Sequence, residues 1–440
     1  MDKRFAPGLY ALPPGVDFAQ ALADGLRARF GSAEALARVE LYLNTTRMAR
    51  RLRTVFDAGP PGLLPRIRLV TDLADPIDRA TLPKPEPALR RRLELTNLVS
   101  GLLDNQPDLA PRASLFDLSD SLAALMEDLQ VEGVSLDALF HLDVTDQSGH
   151  WDRALRFLRI AQPFLQAADK PDLPGFTRRA LDQRLQRWTM NPPDHPVIVA
   201  GSTGSRGTTA AFMQAVARLP QGAVILPGFD FDTPQEVWDR LEDPLTMSDH
   251  PQHRQARVMI ALGLKSGDVK AWTQMKAPAP NRNRVVSLAL RPAPVTHQWM
   301  VEGPELPDLP GTMQDVTLLE APSQREEAIT IALRLRAAAQ EGRRAALITP
   351  DRMLSRQVTS ALARWGIKPD DSAGIPAQLT PPGRFLRHVA GLLRAPLTAE
   401  ALLTLLKHPL THTGSDRGPH VFNTNALELR IRRKAWAYRQ

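Results

Sequence analysis

Residues 201–207, Gly-Ser-Thr-Gly-Ser-Arg-Gly, are the stretch of this 440-residue chain best placed to do chemistry. The apolar run Val197 to Ala200 precedes them, and a helical pattern opens at Thr208 and continues through AAFMQAVARL. A strand, a glycine-rich loop and a helix in that order form the unit on which α/β proteins hold nucleotides, because backbone N–H groups at a helix N-terminus cradle an anion. Phosphoryl transfer needs more. A phosphate loop reads G-x-x-x-x-G-K-[ST], with the Lys on the β/γ-phosphates and the hydroxyl on Mg²⁺. No Gly-Lys pair occurs in the chain, and Lys265-Ser266 follows Leu264 without a glycine loop. The strand does not end in an acid, and the loop is not G-x-S-x-G, so it is no nucleophile elbow. Two readings remain for Gly201, Ser202, Thr203, Gly204 and Ser205: a weak anion cradle, or a tight turn that packs closely.

Thr45, Thr46 and Arg47 form a second candidate. They follow the alternating run Val39 to Leu43 and open a basic helical segment, Thr46 to Phe56, that carries Arg50, Arg51 and Arg53. Hydroxyls and guanidinium groups at a strand-to-helix junction suit the phosphate backbone of a nucleic acid. The plain alternative is a solvated basic face. The remaining polar clusters point less clearly. His250 and His253, and His408 and His412, have metal-like spacings, but Pro251 and Pro409 interrupt them without a carboxylate cluster; ordinary loop histidines are expected. Asp370-Asp371 is expected to shape a turn. Trp365 is expected in a core, and Trp436 either stacks on a base or is buried.

The net charge is +7, with nine Lys against 46 Arg among 55 basic residues. Arginine favours bidentate phosphate contacts and stacking, although a GC-rich genome would enrich it equally. The chain has no cysteine, which excludes disulfides and thiolate-held metals or clusters. No apolar run approaches the roughly 18 residues that span a bilayer, so a cytoplasmic location without membrane contact is expected.

Around these candidates the pattern is α/β to about residue 75, with a helix over Ala19–Phe30 and a strand at Ile67–Val70. It is helical from Pro87 to Thr189, in LRRRLELTNLVSGLL, LFDLSDSLAALMEDL and WDRALRFLRIAQPFLQ, and α/β again from Pro196. Seven prolines fall within 277–311, which reads as a linker with one short strand, Val285 to Leu290. Beyond it, strands are expected at Val316–Leu319 and Ala345–Thr349. Helices are expected after Ser323, over Leu354–Trp365, Gly383–Leu393 and Leu402–Lys407, and in the basic terminal segment LELRIRRKAWAYRQ.

Several blocks, in order, resemble the AddB family, in its alphaproteobacterial form: LYALPPGVDFAQAL, LLPRIRLVTDL, VIVAGSTGSRGTTAAFMQAVARLPQGAVILPGFD, HPQHRQARVMIALGL, APSQREEAITIALRLR, and ALITPDRMLSRQVTSALARWGIKPDDSAG with PPGRFLRHVAGLL. AddB proteins are subunits of the AddAB helicase–nuclease, which processes double-strand DNA breaks for homologous recombination. The resemblance covers the family's N-terminal half. It implies an α/β fold of superfamily-1 helicase-like, P-loop NTPase-like parallel-sheet domains. The first would comprise residues 1–75 plus 190–276, with an inserted helical domain at 76–189. After the linker at 277–311, residues 312–440 would start a second such domain, truncated here as a cloned fragment or a shortened reading frame. LPPGVDFAQAL would stand in the place of the phosphate loop, without its Lys. The resemblance places the family's iron–sulfur cluster and nuclease metal beyond Gln440, leaving no cofactor in this chain. It names an AddA-type helicase–nuclease subunit and single-stranded DNA or unwinding duplex ends as partners. It also implies that Thr45, Thr46, Arg47, Arg50 and Arg51 touch DNA, and that the subunit scans for a hotspot sequence. Two other functions stay open: a divergent nucleotide hydrolase, and a non-enzymatic scaffold that binds only its protein partner.

Overall fold

The computed structural model describes residues 6–107, 110–135, 137–138, 162 and 170–434. The chain divides into two units, Met1–Val316 and Thr317–Gln440.

The first unit is built on a six-stranded, all-parallel sheet of order β3-β2-β4-β5-β1-β6, a Rossmann/P-loop-like arrangement. The strands are β1 (Gly8–Ala11), β2 (Glu40–Leu43), β3 (Arg66–Leu69), β4 (Val197–Ala200), β5 (Gly222–Leu226) and β6 (Lys270–Ala271). The central β4 and β5 are buried along their whole length, which is why they read as unbroken apolar runs. Alternate side chains feed two cores. Leu41, Leu43, Ile198 and Ile225 meet helices α1 (Phe18–Arg29), α2 (Ala33–Arg38) and α3 (Thr46–Asp57) on one face. Tyr42, Val197, Val199 and Val224 face the other way, against Leu181, Phe212, Val216 and Met259.

Between β3 and β4 the chain forms α4 (Pro76–Thr81), α5 (Ala88–Asn105), α6 (Leu115–Glu132) and α7 (Leu173–Met190). α5 and α6 share a small core of Leu95, Val99, Leu103, Leu122 and Met126. Of the helix expected in WDRALRFLRIAQPFLQ only Gln162 is among the described residues, and Trp436 lies outside them. α7 belongs to the sheet as much as to the helical block, since Leu181 joins the sheet core. α8 (Gly207–Arg218) follows β4. Beyond β5 come α9 (Gln235–Arg240) and α10 (His253–Leu262).

A buried ionic cluster fastens α4 and α7 to β2. Arg187 bridges Asp75 and Asp78 with two 2.7 Å bonds, while those two aspartates cap α4 reciprocally. Arg184 donates to the Tyr42 hydroxyl (2.6 Å) and lies 3.5 Å from Asp75. Tyr42 donates in turn to Glu40 (3.0 Å), which pairs with Arg68 at 2.8 Å. Burial pushes the Tyr42 phenol well above its ordinary pKa, so it remains a donor. Burial would also raise Asp75, but the Asp78 N–H and the two guanidinium groups outweigh it and hold the carboxyl low.

Residues 285–290 correct an expectation. Residues 285–289 are helical, within α11 (Pro280–Ala289), and Leu290 caps that helix, rather than forming a strand. Pro280 sits in the first turn, where its missing N–H costs nothing. Burial of Ser287 and Leu288 overrides the β preference of Val285 and Val286. The Pro-rich stretch continues through α12 (Gln298–Glu302) and α13 (Leu309–Thr312), all inside the first unit. Buried Arg291 ties it together through Gln298 (2.8 Å), Ser287 (3.0 Å) and Glu302 (3.3 Å).

The second unit holds α14 (Gln324–Gln340), α15 (Arg352–Ala363), α16 (Pro381–Leu392), α17 (Ala399–Lys407) and α18 (Gly418–Arg433). Ser323 caps α14 by accepting from the Glu326 N–H (3.3 Å). The last helix begins earlier than its basic tail predicts. Val316–Leu319 and Ala345–Thr349 are not strands: neither pairs with a neighbour among the described residues. Leu318 is 84% and Ile348 95% exposed. A short apolar run becomes a strand only when a neighbouring strand takes up its backbone groups. Asp371 shapes its loop, accepting from the Ala373 N–H at 2.8 Å, and Trp365 packs on the small core of α14 and α15. No described helix is long and apolar enough to cross a membrane.

Removing Arg184 takes the second cation from Asp75 and Asp78, which keep Arg187, takes the donor from the Tyr42 hydroxyl, which keeps Glu40, and empties a buried site. Arg184→Ala should therefore lower stability by about 2–4 kcal/mol in urea unfolding at neutral pH. Asp75 has a depressed folded pKa, so its contribution is complete above its unfolded value of about 3.9 and is lost as the pH falls through the folded value. Arg187→Ala should flatten that acid-side loss in a pH series of the same measurement.

Candidate nucleic-acid interface

In a doubly wound sheet, ligands bind beyond the carboxyl ends of the strands. Both sequence candidates lie there, side by side. β2 and β4 are hydrogen-bonded neighbours with Leu43 opposite Ala200, so the Thr45 and Gly201 loops leave adjacent strand ends. A Cβ on Gly201 (φ +79°) would stand 3.4 Å from Asn44 Oδ1 and 3.3 Å from Phe18 at the start of α1. The structure thus brings three strand-to-helix junctions together: β1 to α1, β2 to α3 and β4 to α8.

The three helix N-termini are finished differently. At α1, Asp17 is the cap: Oδ1 accepts from the Gln20 N–H at 3.2 Å, and Oδ2 pairs with Arg51 at 2.9 Å. Burial would raise its pKa, but the Gln20 N–H and Arg51 hold it below the ordinary carboxylate value, so Asp17 is an anion at neutral pH. The preceding loop is closed from above. A Cβ on Gly15 (φ +85°) would lie 3.3 Å from Pro278, and Asn283 of α11 donates to the Pro14 carbonyl at 3.0 Å.

At α8 the anion comes from the helical block. Glu132, the last residue of α6, accepts from the Gly207 N–H at 2.9 Å, and the Thr208 hydroxyl donates to the Val131 carbonyl at 2.9 Å. Arg206 pairs with Glu127 at 3.2 Å. Within the loop, Ser202 is nearly buried, and its hydroxyl accepts from the Gly204 N–H at 3.2 Å. Gly204 has φ +68°, and Ser205 accepts from Arg254 through its carbonyl at 2.9 Å.

α3 alone of the three ends in a neutral cap, Thr45 accepting from the Met48 N–H at 3.1 Å. Thr45, Thr46, Arg47 and Arg50 are exposed, as is Arg53 one turn further on. Arg51 is the exception, half-buried in its pair with Asp17. Leu52, Val55 and Phe56 bury the opposite side of the helix, which fixes the basic side outward.

His250 and His253 are engaged in ordinary hydrogen bonds. His253 is buried and donates to the Leu241 carbonyl at 2.7 Å. His250 donates to the Leu290 carbonyl and accepts from the Gln252 N–H, and burial holds its pKa below the usual value. Among the described residues no three His, Asp or Glu side chains converge as metal ligands.

Sequence reasoning missed Asp17 and Glu132. Asp17 was legible as an Asp immediately before an apolar-periodic helix. Glu132 carried no signal, because its partner lies 75 residues away. No family model and no curated protein sequence matches the chain.

A Cβ on Gly207 would fall 2.8 Å from the Glu132 backbone and 2.9 Å from the Val131 carbonyl. Gly207→Ala should therefore separate α6 from α8 and cost about 1–3 kcal/mol in chemical denaturation. Glu132→Ala, which removes only a cap, should cost about 1 kcal/mol.

Proposed function

We propose that this chain is a catalytically inert, superfamily-1 helicase-like arm that binds single-stranded DNA and a partner motor subunit. The setting is double-strand break repair of the AddAB kind. The observation that carries the inert reading is the pair of internal carboxylates. Where a nucleotide-binding protein offers helix N-termini to phosphate, this one has already placed Asp17 and Glu132. A carboxylate on a helix N-terminus satisfies its N–H groups and repels a second anion. With no Lys or Walker-type acid to stabilise the transferring phosphoryl group, the terms that dominate such catalysis are missing. The motor chemistry falls to the AddA-type partner, and this arm contributes DNA contact in the cytoplasm, with hotspot scanning as its finer role.

The DNA reading rests on Thr45, Thr46, Arg47 and Arg50, exposed together at the neutral-capped end of α3. Their types suit phosphate rather than base edges. Asp17 already neutralises Arg51, which makes it a brace for α3 more than a strand contact.

The purified protein should show no DNA-stimulated ATP hydrolysis above a buffer blank; clear turnover would refute the inert reading. In salt titrations with single-stranded oligonucleotides, Arg47→Ala and Arg50→Ala should each lower the salt slope by about one unit or slightly less. Arg51→Ala should lower it less. Unchanged slopes for both exposed positions would place the DNA path elsewhere.

A further inference from the structure

A cavity of about 390 Å³ opens between α8 and α10, beside the Gly204–Gly207 end of the β4 loop. Its size falls within the roughly 300–1,000 Å³ of ligand sites. Ala210 and Val258 form apolar walls, and four charged side chains, two of each sign, surround them. Two are committed: Glu132 to the Gly207 N–H and Arg254 to the Ser205 carbonyl. The other two, Arg257 and Glu242, line the same space without an ion-pair or hydrogen-bond partner among the described residues. Both are exposed side chains at the rim of the cavity, and, not joined to each other, they leave one donor fork and one acceptor for a guest.

The balanced charge disfavours a phosphate. The apolar walls disfavour a small, fully hydrated ion. A neutral, flat group that carries both N–H donors and lone-pair acceptors on one edge satisfies all three features. The cavity also adjoins the proposed strand contact. Three residues separate Gly201, which abuts Asn44, from Ser205 at the cavity mouth, at most ~14 Å of chain.

The geometry points to a pocket for one unstacked base of single-stranded DNA. Arg257 donates to acceptors on the base edge, and Glu242 accepts from its N–H groups. The assignment rests on the single-strand reading above and adds to it a base contact distinct from the phosphate contacts of α3.

The test compares an oligonucleotide with one of the same length whose central nucleotides are abasic, so that phosphates are equal and bases are not. Variants Arg257→Ala, Glu242→Ala and Ala261→Phe, the last filling the cavity, are measured against the unaltered protein, with folding checked by circular dichroism. The pocket requires each variant to bind the intact strand about tenfold more weakly, and the abasic strand as the unaltered protein does. Glu242→Ala is the sharpest arm. It removes a negative charge, so simple attraction predicts tighter binding and the pocket predicts weaker. Equal affinities of variants and unaltered protein for the intact strand would overturn the pocket and leave the α3 contacts standing. Parallel weakening on both strands would mark Arg257 as a phosphate contact and also overturn it. If the unaltered protein binds neither strand, the single-strand reading fails and the pocket fails with it.

Discussion

The first unit depends on a polar contact in its interior. Tyr42 lies in the middle of β2, where a parallel sheet ordinarily carries an aliphatic residue, and its hydroxyl must find partners out of water. Arg184 supplies one and Glu40 the other. An arginine buried to 4% exposure is tolerable only with carboxylates beside it, and Asp75 and Asp78 are held there by their own capping box. Each member is thus present because the previous one would otherwise be unsatisfied. The chain of dependence runs from β2 through α7 to α4. Such a cluster gains little net stability over a well-packed apolar one; what it supplies here is a set of directional bonds that joins β2, α7 and α4.

That arrangement reaches the carboxyl edge of the sheet. With α7 fixed, α6 packs beside it and against α8, bringing Glu132 onto the Gly207 N–H. On the far side of the sheet, Asp17 joins the start of α1 to Arg51 of α3. The two carboxylates face the same region from opposite layers. Their charges lie where an α/β protein ordinarily receives those of its ligand, and the exposed arginines of α3 follow the adjacent strand end.

The elements of the sheet were largely legible because each strand and its following helix carry a local pattern: VIVA with a glycine loop, ELYL with a threonine cap. The six-strand order was not readable from any single residue, since β6 is two residues long and β1 is bounded by Gly8 and Pro13. The Pro-rich stretch misled because proline marks both linkers and first helical turns, and only burial of Arg291 and Leu288 distinguishes them. In the second unit the pattern predicted strands that have no neighbour to pair with among the described residues. Of the site, the Thr45–Arg51 segment was visible as residue types. The ion pair that removes Arg51 from it was not, because Asp17 lies 34 residues away.

Pro278 against Gly15 bears on how reversible this architecture is. An enzyme that has merely lost one catalytic lysine can regain it by one substitution. Here a lysine introduced after Gly15 would enter a loop roofed by Pro278, bolted by Asn283 and followed by a helix whose dipole Asp17 has already answered. Admitting a phosphate there would mean displacing the Pro-rich segment, and Arg291 anchors that segment in the interior with four polar partners. The contacts act together: each one raises the number of simultaneous substitutions that a phosphate-binding loop at this position would need.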